Sequence, residues 1–194
     1  PNTEIEITRI FNVVQGIYAD QVGVDITVAS IVQEAPGVPS AFSDTQNGGD
    51  LLDELSDWRR LNQFDLGHTH MLTRRRLLND DSSDIVGISY LGSVDSFGNL
   101  TSGICTPVTG ASLSRDSHGL TSLIVAHELG HNFGAPHDGD DVCASTPDTD
   151  FIMGPNISQI NKPTNFSACS ITQMNTVINA ANCLTTTTPT TPTT

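Results

Sequence analysis

The sequence predicts an α/β (α+β) fold in one domain, on three observations. Apolar residues recur at helical spacing over 3–18, 50–62 and 170–182, and Leu120, Leu123, Ile124, Val125 and Ala126 form the apolar lead-in of a further helix. Segments with strand character, 23–33, 64–72, 84–91 and 108–114, are interspersed with these helices. The chain has 194 residues, enough for one sizeable core, and its last ten are almost pure Thr and Pro, so the folded part is expected to end near Leu184.

In the first helix Ile7, Ile10, Phe11, Val14, Ile17 and Tyr18 form one stripe, and Thr3 with Glu6 has the spacing of a capping box. Ile5 and Ile7 also alternate with polar neighbours as a strand would, but the longer periodicity outweighs this. Over 23–33, Val24, Ile26, Val28 and Ser30 share one face and Asp25, Thr27, Ala29 and Ile31 the other, as in an inner strand covered on both sides. Pro36-Gly37, Pro39 and Asn47-Gly48-Gly49 mark a loop. The second helix lines up Leu51, Leu52, Leu55, Trp58 and Leu61, with acidic residues at its start, where the helix dipole favours them. In the strand at 64–72, His68 and His70 share a face; packing or surface histidines outrank a second metal site there. Arg74-Arg75-Arg76 reads as a solvated turn. The strand at 84–91 is followed by a Gly- and Ser-rich passage to Cys105, and 108–114 returns as an inner strand. Asp116 or Ser117 is the expected cap of the next helix. Periodicity fades over 138–166. Ser170 with Gln173 then has capping-box spacing for a last helix whose Ile171, Met174, Val177, Ile178 and Ala181 face inward.

Residues 127–138, His-Glu-Leu-Gly-His-Asn-Phe-Gly-Ala-Pro-His-Asp, carry the chemistry. Positions four apart lie on one helix face, so His127 and His131 can aim two imidazoles at one ion. Glu128, one step round the helix, can reach a water on that ion without being a ligand, where a general base is wanted. Gly134 accepts the left-handed conformation of a C′ residue and Pro136 cannot continue a helix, so the chain turns there. His137 can then approach the ion from a third direction. Three imidazoles and a water make the open arrangement of a catalytic zinc, not the closed four-ligand set of a structural one. His-Glu-x-x-His alone can sit on a metal-free helix; the glycine and third histidine at fixed offsets carry the zinc reading.

This long pattern, followed by a methionine at Met153, is that of the metzincin proteases. With Asp138 after the third histidine, the stretch resembles the adamalysin (reprolysin, ADAM-like, M12B) family. The resemblance covers nearly the whole folded chain, though only 127–138 and the methionine are specific. It implies a metzincin catalytic domain: a twisted, mostly parallel sheet with one antiparallel edge strand, flanking helices, and a small irregular C-terminal subdomain ending in a helix. The division would be 1–134 and 135–184, with 185–194 as a linker. It implies one catalytic Zn2+ on His127, His131 and His137, Glu128 as base, a turn at Met153 packed beneath the ligands, and Asp138 as a buried structural residue. Without a metal, Met153 would be an ordinary adaptable core residue. Asn156–Ile160 would wall the specificity pocket, and an extended substrate would pair with the edge strand. Family members open with a strand before the first helix, which would lie upstream of Pro1 and normally brings a calcium ligand. Asp65 could match another such ligand, but no asparagine follows Cys183 at the usual place, so Ca2+ is left open.

Eight basic residues against 22 acidic ones give a net charge of −14, which excludes nucleic acid and anionic membrane as partners. No stretch is long and apolar enough to cross a bilayer, and no signal peptide is visible. Cys105, Cys143, Cys169 and Cys183 contain no CxxC spacing and fit two disulfides in an oxidising compartment, in any of three connectivities, against a reading as four buried thiols. The family resemblance implies Cys105 with Cys183 and Cys143 with Cys169. The expected function is a secreted zinc endopeptidase acting on proteins or peptides and tethered through the Thr/Pro linker to further domains. An inactive metzincin-like binding module and a zinc hydrolase of small-molecule amides are the rivals. Sequons at Asn99, Asn156 and Asn165 matter only in a glycosylating host.

Overall fold

The computed structural model describes residues 3–34, 37–117, 119–156 and 163–184. In chain order the elements are α1 (Thr3–Gln21), α2 (Gly48–Asn62), β1 (Thr69–Thr73), β2 (Leu77–Leu78), β3 (Asp84–Ile85), β4 (Gly87–Ser89), β5 (Ser93–Val94), β6 (Leu100–Ser102), β7 (Ala111–Arg115), α3 (Thr121–Asn132), a 3-10 turn (Asp141–Cys143) and α4 (Ala168–Ala180). The main sheet has the order β1-β7-β4. β1 runs parallel to β7 with His70 opposite Ser112, and β4 runs antiparallel to β7 with Ile88 opposite Leu113. β4 is therefore the antiparallel edge strand that the family resemblance implies, in a mixed α/β fold consistent with a metzincin catalytic domain.

Alternation along the strands gives the sheet two unlike faces. Leu113, Met71 and Ile88 pack with Leu51, Leu52 and Leu55 of α2 into one apolar cluster. The other face presents His68, His70, Ser89, Ser112 and Ser114, whose polar atoms bond to one another and to Asn132 of α3. The far side of α3 meets α1. Tyr18, fully buried, donates its hydroxyl to the carbonyl of Ala126 at 2.9 Å, and its ring lies 5.3 Å from those of Phe133 and Phe166. Ile10, Val14, Leu123, Ile124, Leu129, Met153, Met174 and Val177 complete this larger core, each large side chain contributing about 1.5–3 kcal/mol by leaving water. α3 is thus clamped between α1 on one side and the sheet on the other.

Several elements differ from expectation. Residues 23–33, expected as a strand, form none. With α1 and β1 this segment lines a cavity of ≈1720 Å3, and the ladder that a strand requires, with partners about 4.8 Å apart, does not form there. The other strands begin late because turns precede them: Leu66 N–H bonds Gln63 O at 3.2 Å before β1, and Gly110 N–H bonds Thr106 O at 3.2 Å before β7. The expected strand at 84–91 divides, since β3 pairs with β2 and β4 with β7. Leu61 is 71% exposed; at 100° per residue it lies about 240° round from Leu55. Arg59 takes the inward position instead. It is wholly buried, and its guanidinium donates to the carbonyls of Gln63, Leu66 and Thr106 and to Thr69 Oγ1. Those acceptors offset the cost of burying the charge and pin both turns.

Helix caps also shift. Thr3 is the first residue of α1 rather than its cap. α2 is capped by Asn47, whose Oδ1 accepts from Asp50 N–H at 3.0 Å. Leu120 stands at the N-cap of α3 with no side-chain bond; Asp116 instead accepts from Thr121 Oγ1, which accepts from Ser117 N–H. α4 starts two residues early, with Ser167 Oγ taking Ser170 N–H at 3.0 Å in place of the Ser170–Gln173 box. Arg74 and Arg76 form exposed ion pairs with Asp116 and Asp84. Cys105–Cys183 and Cys143–Cys169 are both bonded, with Cα–Cα distances of 5.4 and 5.8 Å.

Candidate metal centre

The four-residue spacing on α3 sets His127 and His131 on one face, and the helix ends directly after them. Gly134 has φ +99°; its N–H bonds His131 O at 2.8 Å and that of Ala135 bonds Gly130 O at 3.0 Å. These are the two bonds of a Schellman stop, which a left-handed glycine permits. The reversal returns His137 to the same point. The three Nε2 atoms lie 3.0, 3.2 and 3.3 Å apart. Nitrogens bound tetrahedrally to one zinc, 2.0–2.1 Å from it, would be about 3.3 Å apart, so the tripod fits that ion. Among the described residues this is the one cluster of three or more metal-ligating side chains with that convergence.

Backbone carbonyls orient the rings. His127 Nδ1 donates to Ile152 O at 2.7 Å and His131 Nδ1 to Ala135 O at 2.8 Å. Each bond places the ring proton on Nδ1 and frees Nε2 for an ion. Burial lowers the pKa of all three imidazoles, His131 to about 4. Neighbouring imidazoles add to the effect at His127 and His131, and all three are held in the neutral form that a metal requires.

Glu128 is 5% exposed. Its carboxylate lies over Gly87 of β4, where any Cβ would collide with it, and has no hydrogen-bond partner among the described residues. Burial pushes its pKa up to about 8, as desolvation without a partner must. Beyond the tripod, Asp138 is wholly buried; its N–H bonds Met153 O at 2.9 Å and its Oδ1 accepts from Ser167 Oγ at 2.6 Å and Ser170 Oγ at 3.1 Å. Met153 is wholly buried in a turn against Gly130, inside the histidine motif. Asn156 is exposed, while 157–160 of the expected pocket wall lie outside the described residues.

Sequence reasoning missed the carbonyls of Ile152 and Ala135, the Ser167–Ser170 cradle for Asp138, and the role of Asn132. Asn132 is wholly buried and bonds to β7, to the end of β4 and to His68. The His68-x-His70 at the start of β1 and the Ser112-x-Ser114 of β7 were its visible signal. The four ring nitrogens of His68 and His70 are engaged by Asn132, Ser112 and Ser114, so the pair forms no second metal cluster. The Gly-rich passage has a purpose as well. Gly92 N–H bonds His131 O at 2.8 Å, Ile104 N–H bonds Asn132 O at 3.1 Å, and side chains at Gly92 or Gly103 would strike the helix end.

The sequence profile of metallo-peptidase family M12B, reprolysin-like, matches residues 1–180. The chain is 26% identical over 185 residues to "A disintegrin and metalloproteinase with thrombospondin motifs 20" from Homo sapiens, covering 87% of this chain and 9% of that protein. It is 32% identical over 127 residues to "Zinc metalloproteinase recombinant fibrinogenase II" from Deinagkistrodon acutus, covering 63% and 48%. Against the "Disintegrin and metalloproteinase domain-containing protein 10 homolog" from Caenorhabditis elegans it is 42% identical over 62 residues, 30% of this chain and 7% of that one. The chain thus spans a small part of most of these relatives.

Proposed function

This chain belongs to metallo-peptidase family M12B, the reprolysin-like group, and on that premise we propose that it is a zinc-dependent endopeptidase that cleaves proteins or peptides. The observation that carries the reading is the convergence of three Nε2 atoms beside an unbonded, buried carboxylate. His127, His131 and His137 are the ligands and Glu128 the general base. Zinc, when bound, polarises the scissile carbonyl, lowers the pKa of a water towards about 7 and favours ionised Glu128. Glu128 takes a proton from the attacking water and gives it to the leaving amine. Its place over Gly87 puts the carboxylate at the edge strand, and β4 pairs with β7 on one side only. An extended peptide adds itself along the open side, held by backbone bonds, with one side chain entering a pocket beside Met153.

Two disulfides support placement in an oxidising, extracellular setting, and we place the domain beside further domains through its Thr/Pro-rich linker. Among the described residues no helix is long and apolar enough to cross a membrane. The test is cleavage of a denatured protein by the zinc-loaded chain, its loss with a chelator, and its return with zinc. Glu128→Ala should bind zinc as the parent does and cleave nothing. A parent that binds zinc but turns over no peptide would instead make this an inactive binding module.

A further inference from the structure

Asn132 follows the second histidine of the tripod and is wholly buried. Its Nδ2 faces the carbonyls of Thr109 at 2.9 Å, Ala111 at 3.1 Å and Tyr90 at 3.2 Å, and Ser89 Oγ at 3.3 Å. Those carbonyls make Nδ2 the donor and leave Oδ1 to accept, from His68 Nδ1 at 3.0 Å. His68 is thereby fixed as the Nδ1–H tautomer. Its Nε2 must accept, and the Ser112 hydroxyl stands 2.8 Å away. Ser112 Oγ, its own proton committed, accepts from His70 Nδ1 at 2.7 Å, and His70 Nε2 accepts from Ser114 Oγ at 3.1 Å. The protons run one way, from Ser114 through His70, Ser112 and His68 to Asn132, and each link dictates the next. Ser112 and Ser114 are wholly buried, so the chain is enclosed at its centre, and the proposed mechanism uses none of its members.

We propose that His68 is a positioning residue for the metal centre. By holding Oδ1 of Asn132, it aims the amide at β7 and at the end of β4, and so sets the last turn of α3, with His131, at a fixed height over the sheet. The proposal rests on the reading of His131 as a ligand. A histidine that merely fills space would need neither the tautomer nor the donor at Nδ1. Support shells of this kind are felt in metal affinity.

His68→Leu keeps bulk and removes the donor, whereas His68→Asn returns an N–H at the Nδ1 position. Zinc affinity is measured by competition with a chromophoric chelator, on variants whose circular dichroism matches the parent. His68→Leu should bind zinc about tenfold more weakly and His68→Asn within about threefold of the parent. Equal affinity in His68→Leu and the parent would overturn the proposal and leave the endopeptidase reading intact; a parent without zinc affinity would overturn both. Should His68→Leu not fold, long-range 1H–15N spectra of the parent decide: a neutral Nδ1–H tautomer at His68 supports the proposal, and Nε2–H overturns it.

Discussion

His127 and Ile152 are joined by a 2.7 Å hydrogen bond from the imidazole Nδ1–H to the backbone carbonyl. It fastens the first ring of the tripod to the turn that carries Met153, so the turn and α3 are tied directly at the tripod. Gly130 belongs to the same contact. A Cβ there would lie 2.5 Å from Met153 Sδ and 3.3 Å from Phe166 Cε1.

Gly130→Ala is therefore expected to destabilise the protein despite being a helix-favouring change. Better helix propensity contributes up to about 1 kcal/mol, while overpacking a closed core costs about 1–3 kcal/mol. A net loss of about 1 kcal/mol, read as a lower urea midpoint at unchanged slope, is the expected result. A raised midpoint would mean that the turn yields and does not brace the helix.

Asp138 makes a second prediction. Its Oδ1 accepts two buried hydroxyls, Ser167 and Ser170, at the start of α4. Asp138→Ala strands the Ser170 hydroxyl, whereas that of Ser167 can turn to Ser170 Oγ, 3.0 Å away, and should cost about 1–3 kcal/mol, because an unsatisfied buried donor costs more than its bond contributes. Adding Ser170→Ala should recover part of that loss. A cycle of the two substitutions measures the coupling, expected at about 1 kcal/mol or more; strict additivity would exclude the cradle.

The difference between what was legible in the sequence and what was not follows from the range of the forces. The helix ending at Gly134 and the return of His137 depend on local geometry within a dozen residues, and the motif encodes them. α1, α2 and α4 were legible because one apolar face is sufficient to define a helix. Segment 23–33 was not, since its alternation describes a strand while pairing depends on what lies alongside. Arg59 and Asn132 were opaque for a related reason. A buried polar side chain is tolerable only when distant carbonyls happen to meet it, as Thr106 meets Arg59 and Ala111 meets Asn132.

Acid stability should depend on His70. Burial pushes its pKa down to about 3, and its two nitrogens already engage Ser112 and Ser114 as a neutral ring. The unfolded chain binds a proton there below about pH 6.5 and the folded chain does not. Stability is thus full above that value and falls as pH drops towards 3, by up to about 1.4 kcal/mol per pH unit for one such group. The three imidazoles of the tripod act with the same sign, so the measurement is a difference. Urea unfolding of the parent and of His70→Gln between pH 7 and pH 4 should show a shallower decline in the variant; parallel curves would count against a neutral His70 in the folded chain.

The two disulfides should separate stability from site integrity. Cys105–Cys183 spans 78 residues and Cys143–Cys169 spans 26, so chain entropy alone assigns about 4.5 kcal/mol to the first and about 3.5 kcal/mol to the second. Position reverses the order for metal binding. Cys143 O accepts Gly139 N–H at 3.1 Å, two residues beyond His137, and Cys169 lies in the first turn of α4 beside the serines that hold Asp138. Replacing Cys143 and Cys169 by serine frees the loop that returns the third histidine, whereas replacing Cys105 and Cys183 frees the approach to β7 and the end of α4. The long-loop variant should lose more in urea midpoint, and the short-loop variant should lose more in zinc affinity by chelator competition. If the short-loop variant bound zinc as tightly as the parent, the path from Cys143 through Gly139 to His137 would carry no constraint, and the tripod would owe its third arm to the Schellman turn and Asp138 alone.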